Sequence, residues 1–149
     1  MFKLLIMLII VLYSNYSYSC SCKGYELDEE FRNNNVVVIG TVKNFSKPPL
    51  WERLFYSGYP MRKAIIDVSK SFKSPKQETI SVYTDFGAAA CGFPFEEGVE
   101  YAIFAKTAGN GDLEGKLLVH SCNPTIHTVS RDDPHEPERK RVVKFLSNK

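Results

Sequence analysis

Val36-Val37-Val38-Ile39-Gly40-Thr41-Val42 is β-branched at every position but the glycine. Such side chains are stiff at χ1 and pack well on a pleated surface, so the run predicts a buried strand with a bulge or bend at Gly40. On its N-terminal side, Glu26-Leu27-Asp28-Glu29-Glu30-Phe31 sets Leu27 and Phe31 four residues apart among acids. That is the spacing of a short amphipathic helix, which Asn33-Asn34-Asn35 must end. On the other side, residues 44–60 hold three prolines, a glycine and several aromatics without a period, and predict an exposed loop.

Strand signals resume at Lys63-Ala64-Ile65-Ile66-Asp67-Val68-Ser69-Lys70 and at Thr79-Ile80-Ser81-Val82-Tyr83-Thr84, with a turn at residues 73–76 between them. Phe86-Gly87-Ala88-Ala89-Ala90-Cys91-Gly92 is a connector of small residues, and Phe95-Glu96-Glu97-Gly98 turns the chain into Glu100-Tyr101-Ala102-Ile103-Phe104-Ala105. A last strand is expected at Lys116-Leu117-Leu118-Val119-His120, after the turn Gly109-Asn110-Gly111-Asp112. Five strands with hairpin-like turns and one long loop predict an antiparallel barrel. Residues 130–149 form a tail in which acids and prolines precede bases, the order that suits a helix dipole. Val142, Val143, Phe145 and Leu146 are its expected apolar face.

Residues 1–19 read as a signal peptide. One cation, Lys3, precedes an apolar run from Leu4 to Leu12, and small residues Ser17 and Ser19 suit cleavage before Cys20. The run is shorter than the ~20 residues of a membrane span, and no later run is long enough. A cysteine directly after the cut also suits lipid attachment in a bacterial lipoprotein, but those signals place Leu where Ser17 stands. Residues 20–149 are read as a single exported domain, extracellular, or periplasmic in a bacterium. Cleavage leaves 130 of the 149 residues and lowers the formal net charge from +2 to +1. A near-neutral chain of mixed sign gives no reason to expect nucleic acid as a partner.

All four cysteines, Cys20, Cys22, Cys91 and Cys122, fall in the exported part and read as two disulfides. Joining Cys20 to Cys22 would close a cramped ring, so each reaches a distant partner. Spacing leaves open which of them takes Cys91 and which Cys122. His120, His127 and His135 lack ligand spacing, and no nucleophile, base and acid group together; no cofactor and no enzymatic activity are expected. Arg139-Lys140-Arg141 with Lys144 and Lys149 is read as a solvated face matched to the helix dipole, or alternatively as a stripe for acidic polysaccharide in an adhesion or matrix-binding module. Asn44-Phe45-Ser46 is a glycosylation sequon if the host is eukaryotic.

The export signal ending at Cys20-Ser21-Cys22, the helix ending near Phe31, the run 36–40, Val82-Tyr83-Thr84, the stretch from Ala90 through Cys91, Phe95 and Gly98 to Tyr101, and Cys122-Asn123-Pro124-Thr125 together resemble the tissue inhibitors of metalloproteinases. The resemblance covers the mature chain to about residue 130. It implies a netrin-like, five-stranded OB barrel, which the N- and C-terminal helices read above would flank, and the pairing Cys20 to Cys91 and Cys22 to Cys122. It also implies a monomer that binds a zinc metalloendopeptidase, with the amino nitrogen and carbonyl oxygen of Cys20 on the partner's metal and Ser21 in its specificity pocket. Cys22 and the strip Ala88-Ala89-Ala90 would lie against the same protease, while Lys23 is read as a solvated lysine.

Overall fold

The computed structural model describes residues 20–46, 61–73, 77–85, 91–109, 114–129 and 134–149. The signal segment 1–19, residues 47–60 of the expected loop with the aromatics from Trp51 to Tyr59, most of the turns expected at 73–76 and 109–112, and residues 86–90 with Ala88, Ala89 and Ala90 lie outside the described residues. The elements in chain order are α1 (Leu27–Asn33), β1 (Val36–Ser46), β2 (Met61–Lys73), β3 (Thr79–Asp85), β4 (Glu100–Thr107), β5 (Leu117–Leu118), β6 (Ile126–His127) and α2 (Glu136–Ser147).

The sheet closes on itself. β1 pairs with β2, β2 with β3, β3 with β5, β5 with β4, and β4 returns to β1, giving a five-stranded barrel of OB type flanked by two helices. Every pairing is antiparallel except β3 with β5. β5 and β6 succeed each other along one edge of β4 while β1 takes the other.

β1 and β4 are apolar on both faces because each face has its own cover. Val36, Val38 and Val42 join Tyr101, Ile103 and Ala105 inside the barrel, against Ala64, Ile66, Ile80 and Val82. The alternate residues Val37, Ala102 and Phe104 point outward and are buried under Leu27, Ile126, Val142 and Leu146. A strand buried on both faces shows an unbroken apolar run, as these two do. β2 and β3 have one covered face, and their burial alternates over Ala64–Ile66 and Ile80–Thr84.

Gly40 sits where β1 slips against β2, between Ile39 and Gly40 in the register. A Cβ there would lie 2.6 Å from Ile66 Cγ2 and 2.7 Å from the Asp67 carbonyl oxygen, so the strands approach as they do because the side chain is absent.

The two helices hold each other across one end of the barrel. Phe31 and Phe145 meet edge to face with centroids 5.9 Å apart. Lys149 Nζ lies 3.2 Å from Asp28 Oδ1 and over both rings. Asn34 ends α1 as expected: its backbone and side-chain N–H groups donate to the Glu30 carbonyl, and Lys73 Nζ donates to the carbonyls of Phe31 and Arg32.

Several sequence expectations need correction. β1 runs to Ser46, into what reads as loop, and β2 spans Met61–Lys73, longer at both ends than the expected 63–70. The last expected strand, 116–120, shrinks to Leu117–Leu118 with a single bridge from His120 to Gly92, and Ile126–His127 is a strand the sequence does not announce. On α2, Val142 and Leu146 are buried, but Val143 is 37% exposed and its expected place on the apolar face belongs to Arg139, 3% exposed. Residues 139, 142 and 146 follow the i, i+3, i+7 stripe of a helix, and 143 lies a step around it.

Candidate functional site

The first described residues, 20–26, form no helix or strand, and covalent bonds determine where they lie. Cys20 bridges Cys91 and Cys22 bridges Cys122, with Cα atoms 5.5 and 5.1 Å apart across sequence separations of 71 and 100 residues. This is one of the two pairings that spacing left open. The receiving segments are themselves joined: the Ser121 N–H donates to the Cys91 carbonyl at 2.9 Å, and Gly92 pairs with His120. Two links spaced like a rung therefore tie the N-terminal segment to one rigid base.

That base is built from the motif around Cys91. Cys91 is the only non-glycine residue with positive φ among the described residues, at 60°, a sparsely populated conformation held by its surroundings. Phe93 N–H donates to Thr84 Oγ1 at 2.6 Å. Phe93, Phe95 and Tyr101 form a three-ring cluster with centroids 4.6 to 5.6 Å apart, and the Tyr101 hydroxyl accepts the Glu96 N–H. Gly98, at φ 76°, makes the turn that lets its own N–H reach the Val42 carbonyl. On the other side, Asn123 Nδ2 donates to the Phe104 carbonyl at 2.6 Å and Thr125 Oγ1 accepts the Phe104 N–H at 3.0 Å. Cys122 is thus fastened to β4 through the residues that follow it.

Of the residues expected to contact a protease, the structure brings Cys20, Ser21 and Cys22 to one edge. Ser21 and Cys22 are exposed there and Cys20 is half-buried; Lys23 is exposed beside them. Ala88, Ala89 and Ala90 precede Cys91 in the chain, but they lie outside the described residues.

A group that sequence reading missed backs this edge. The Tyr25 hydroxyl donates to Glu138 Oε1 on α2. Arg141, one turn further along the helix, sets its guanidinium 5.3 Å from the Tyr25 ring centroid and reaches the Tyr25 carbonyl at 3.5 Å. Burial, then the hydrogen bond to Glu138 and its charge, raise the Tyr25 phenol well above its ordinary range, with Arg141 opposing. Open space of about 320 Å³ adjoins Tyr25 on the side of Phe93, His127 and His135, and about 400 Å³ on the side of Cys22, Gly24 and Arg141. The i, i+3 spacing of Glu138 and Arg141 was the available signal, but nothing in the sequence pointed that face toward residue 25.

The histidines scatter. His120 Nδ1 lies 3.6 Å from Asp85, His135 Nδ1 lies 3.9 Å from Glu138, and His127 Nε2 lies 3.3 Å from Arg139 Nη1. Among the described residues no three His, Cys, Asp or Glu side chains gather as a metal site. The basic row expected on α2 is not one continuous surface. Arg139 turns inward to His127 and Glu136, Lys140 pairs with Glu136 at 2.8 Å, Arg141 lies on Tyr25 and Lys149 on Asp28. No helix among the described residues is long and apolar enough to cross a membrane. Comparison with protein-family models and with curated proteins finds no match for this sequence.

Proposed function

We propose that this protein is an exported, stoichiometric inhibitor of zinc endopeptidases, similar in mode to the tissue inhibitors of metalloproteinases, with no turnover of its own. Removal of residues 1–19 would leave Cys20 as the first residue. Its α-amino nitrogen and carbonyl oxygen then form a chelating pair for the coordination position that a catalytic zinc keeps for water. An α-amine titrates near about 7.7–8.0, so its neutral, metal-binding form is accessible near neutral pH. Ser21, between the two bridged cysteines, enters the specificity pocket.

The observation that carries this reading is the double anchoring of a three-residue edge. Cys20 and Cys22 are bridged to segments joined to each other by the Ser121–Cys91 hydrogen bond, while Ser21 between them is exposed. An edge already ordered loses less entropy on docking than a free tail. The OB-type barrel and the pairing of the cysteines are also what the resemblance implies.

The test is made on protein recovered from its natural host. N-terminal sequencing and intact mass should give Cys20 as the first residue, unacylated, with both bridges formed. Titration against the catalytic domains of zinc endopeptidases should show saturable one-to-one inhibition. A blocked or extended terminus in the native material, or no inhibition across the panel, contradicts the reading.

A further inference from the structure

A disulfide limits the distance between two Cα atoms without fixing the direction of the chain beyond it. The chain leaving Cys22 runs through Lys23 and Gly24, both exposed, and a Cβ on Gly24 would meet nothing within 4 Å. Open space adjoins Tyr25 on two sides. Close packing therefore does not hold residues 23–24, and the next fixed point after the Cys22 bridge is Tyr25.

Tyr25 is fixed by the other end of the chain. Its hydroxyl donates to Glu138, its carbonyl accepts from Arg141, and its ring lies under the Arg141 guanidinium. α2, which supplies both partners, is in turn seated on the barrel by Val142 and Leu146, at 0% and 1% exposure. A charge-assisted hydrogen bond from a half-buried phenol to a carboxylate is among the stronger non-covalent ties available. Loss of the phenol hydroxyl leaves the ring free to shift into the adjoining space.

We propose that the Tyr25–Glu138 hydrogen bond, backed by Arg141, is the positioning contact through which the C-terminal helix holds the Cys20–Cys22 edge in its docking geometry. The proposal rests on the reading that this edge engages a zinc protease, and it adds that the edge and α2 act as one unit in doing so. Tyr25, Glu138 and Arg141 touch no zinc themselves. They set the fraction of molecules whose edge is correctly aimed, and apparent affinity scales with that fraction.

The experiment uses the full processed protein and four variants: Tyr25→Phe, Glu138→Ala, the double variant, and Glu138→Gln, whose amide oxygen still accepts from the phenol. Tyr25→Phe and Glu138→Ala should each lower the backbone NMR order parameters of residues 23–26 to below about 0.6, the flexible range, with those of residues 101–105 unchanged. Each should also weaken inhibition about tenfold, chiefly through slower association. The double variant should be no worse than either single one, and Glu138→Gln should recover most of the loss. A purely structural role would lower the melting temperature without this pattern of non-additivity and rescue in the inhibition constant. Unchanged order parameters at residues 23–26 overturn the proposal, as do lowered ones with unaltered inhibition. If the wild-type protein inhibits no zinc endopeptidase, the functional reading and the docking role fall together; the order parameters then decide separately whether the clasp holds the edge.

Discussion

Replacing Gly40 with alanine should destabilise the barrel by about 2 kcal/mol net, because the strand crossing at that point has no room for one methyl group. The added Cβ would lie 2.6 Å from Ile66 Cγ2 and 2.7 Å from the Asp67 carbonyl oxygen, with the Asp67 carbonyl carbon at 3.3 Å. Carbon atoms prefer separations of roughly 3.5–4.0 Å, so β1 and β2 would have to part by nearly 1 Å. Ile66 cannot yield, since it is fully buried in the barrel, and the Asp67 oxygen belongs to the main chain. Overpacking of this kind costs about 1–3 kcal/mol, and the main-chain obstacle places Gly40 at the upper end. The smaller unfolded-state entropy of alanine returns about 0.4–1 kcal/mol. For a chain of this size the net loss lowers the melting temperature by roughly 6–12 °C, measured by thermal unfolding with both disulfides intact. Gly24→Ala is the control: nothing lies within 4 Å of its Cβ position, and stability should hold or rise slightly. A Gly40→Ala protein that melts within 2 °C or so of wild type would refute the steric account of the β1 bulge.

Two further outcomes follow from the charges on α2. Arg139→Met should cost about 1–3 kcal/mol in urea unfolding, since the side chain is only 4% exposed and its contacts to His127 and Glu136 are lost, whereas Lys140→Ala, at a side chain 73% exposed, should stay within about 0.5 kcal/mol. Equal effects would contradict the inward placement of Arg139. The folded protein holds the Tyr25 proton more tightly than the unfolded chain, whose phenol titrates near 10. That proton's contribution is therefore complete below about pH 10 and is lost as pH rises further, so wild-type stability should fall more steeply above pH 10 than that of Tyr25→Phe. Parallel curves would mean that the Tyr25 phenol is neither buried nor bonded to Glu138 as the structure has it.

Most of the barrel was legible because its strands carry their own signal. β1 and β4 are nearly all apolar since one face fills the barrel and the other lies under the helices, and β2 and β3 alternate since only one face is covered. β5 and β6 were misjudged because each is two residues long and is placed by its partner β4 and not by its own composition. Ile126 and His127 are carried to β4 by the hydrogen bonds that Asn123 and Thr125 make to Phe104, which no local pattern records. Arg139 was read as solvated because arginine is rarely buried; its charge is accommodated by Glu136, three residues back on the helix, and by His127, a partner visible only in three dimensions. At the candidate site, the cysteines alone indicated that Cys20 and Cys22 each reach a distant partner, while the resemblance and not their spacing chose which. The tie of this edge to α2 was not legible, because Tyr25 and Glu138 are 113 residues apart and neither stands out in its own segment.

The most direct measurement compares the processed protein with a form carrying one additional alanine before Cys20, in inhibition assays against a zinc endopeptidase catalytic domain. The extension removes the free amine next to the Cys20 carbonyl and leaves both bridges and the barrel in place. The account predicts a loss of inhibition of at least about a hundredfold with an unchanged melting temperature. Full potency in the extended form would contradict metal chelation by the first residue and, with it, the proposed mode of action.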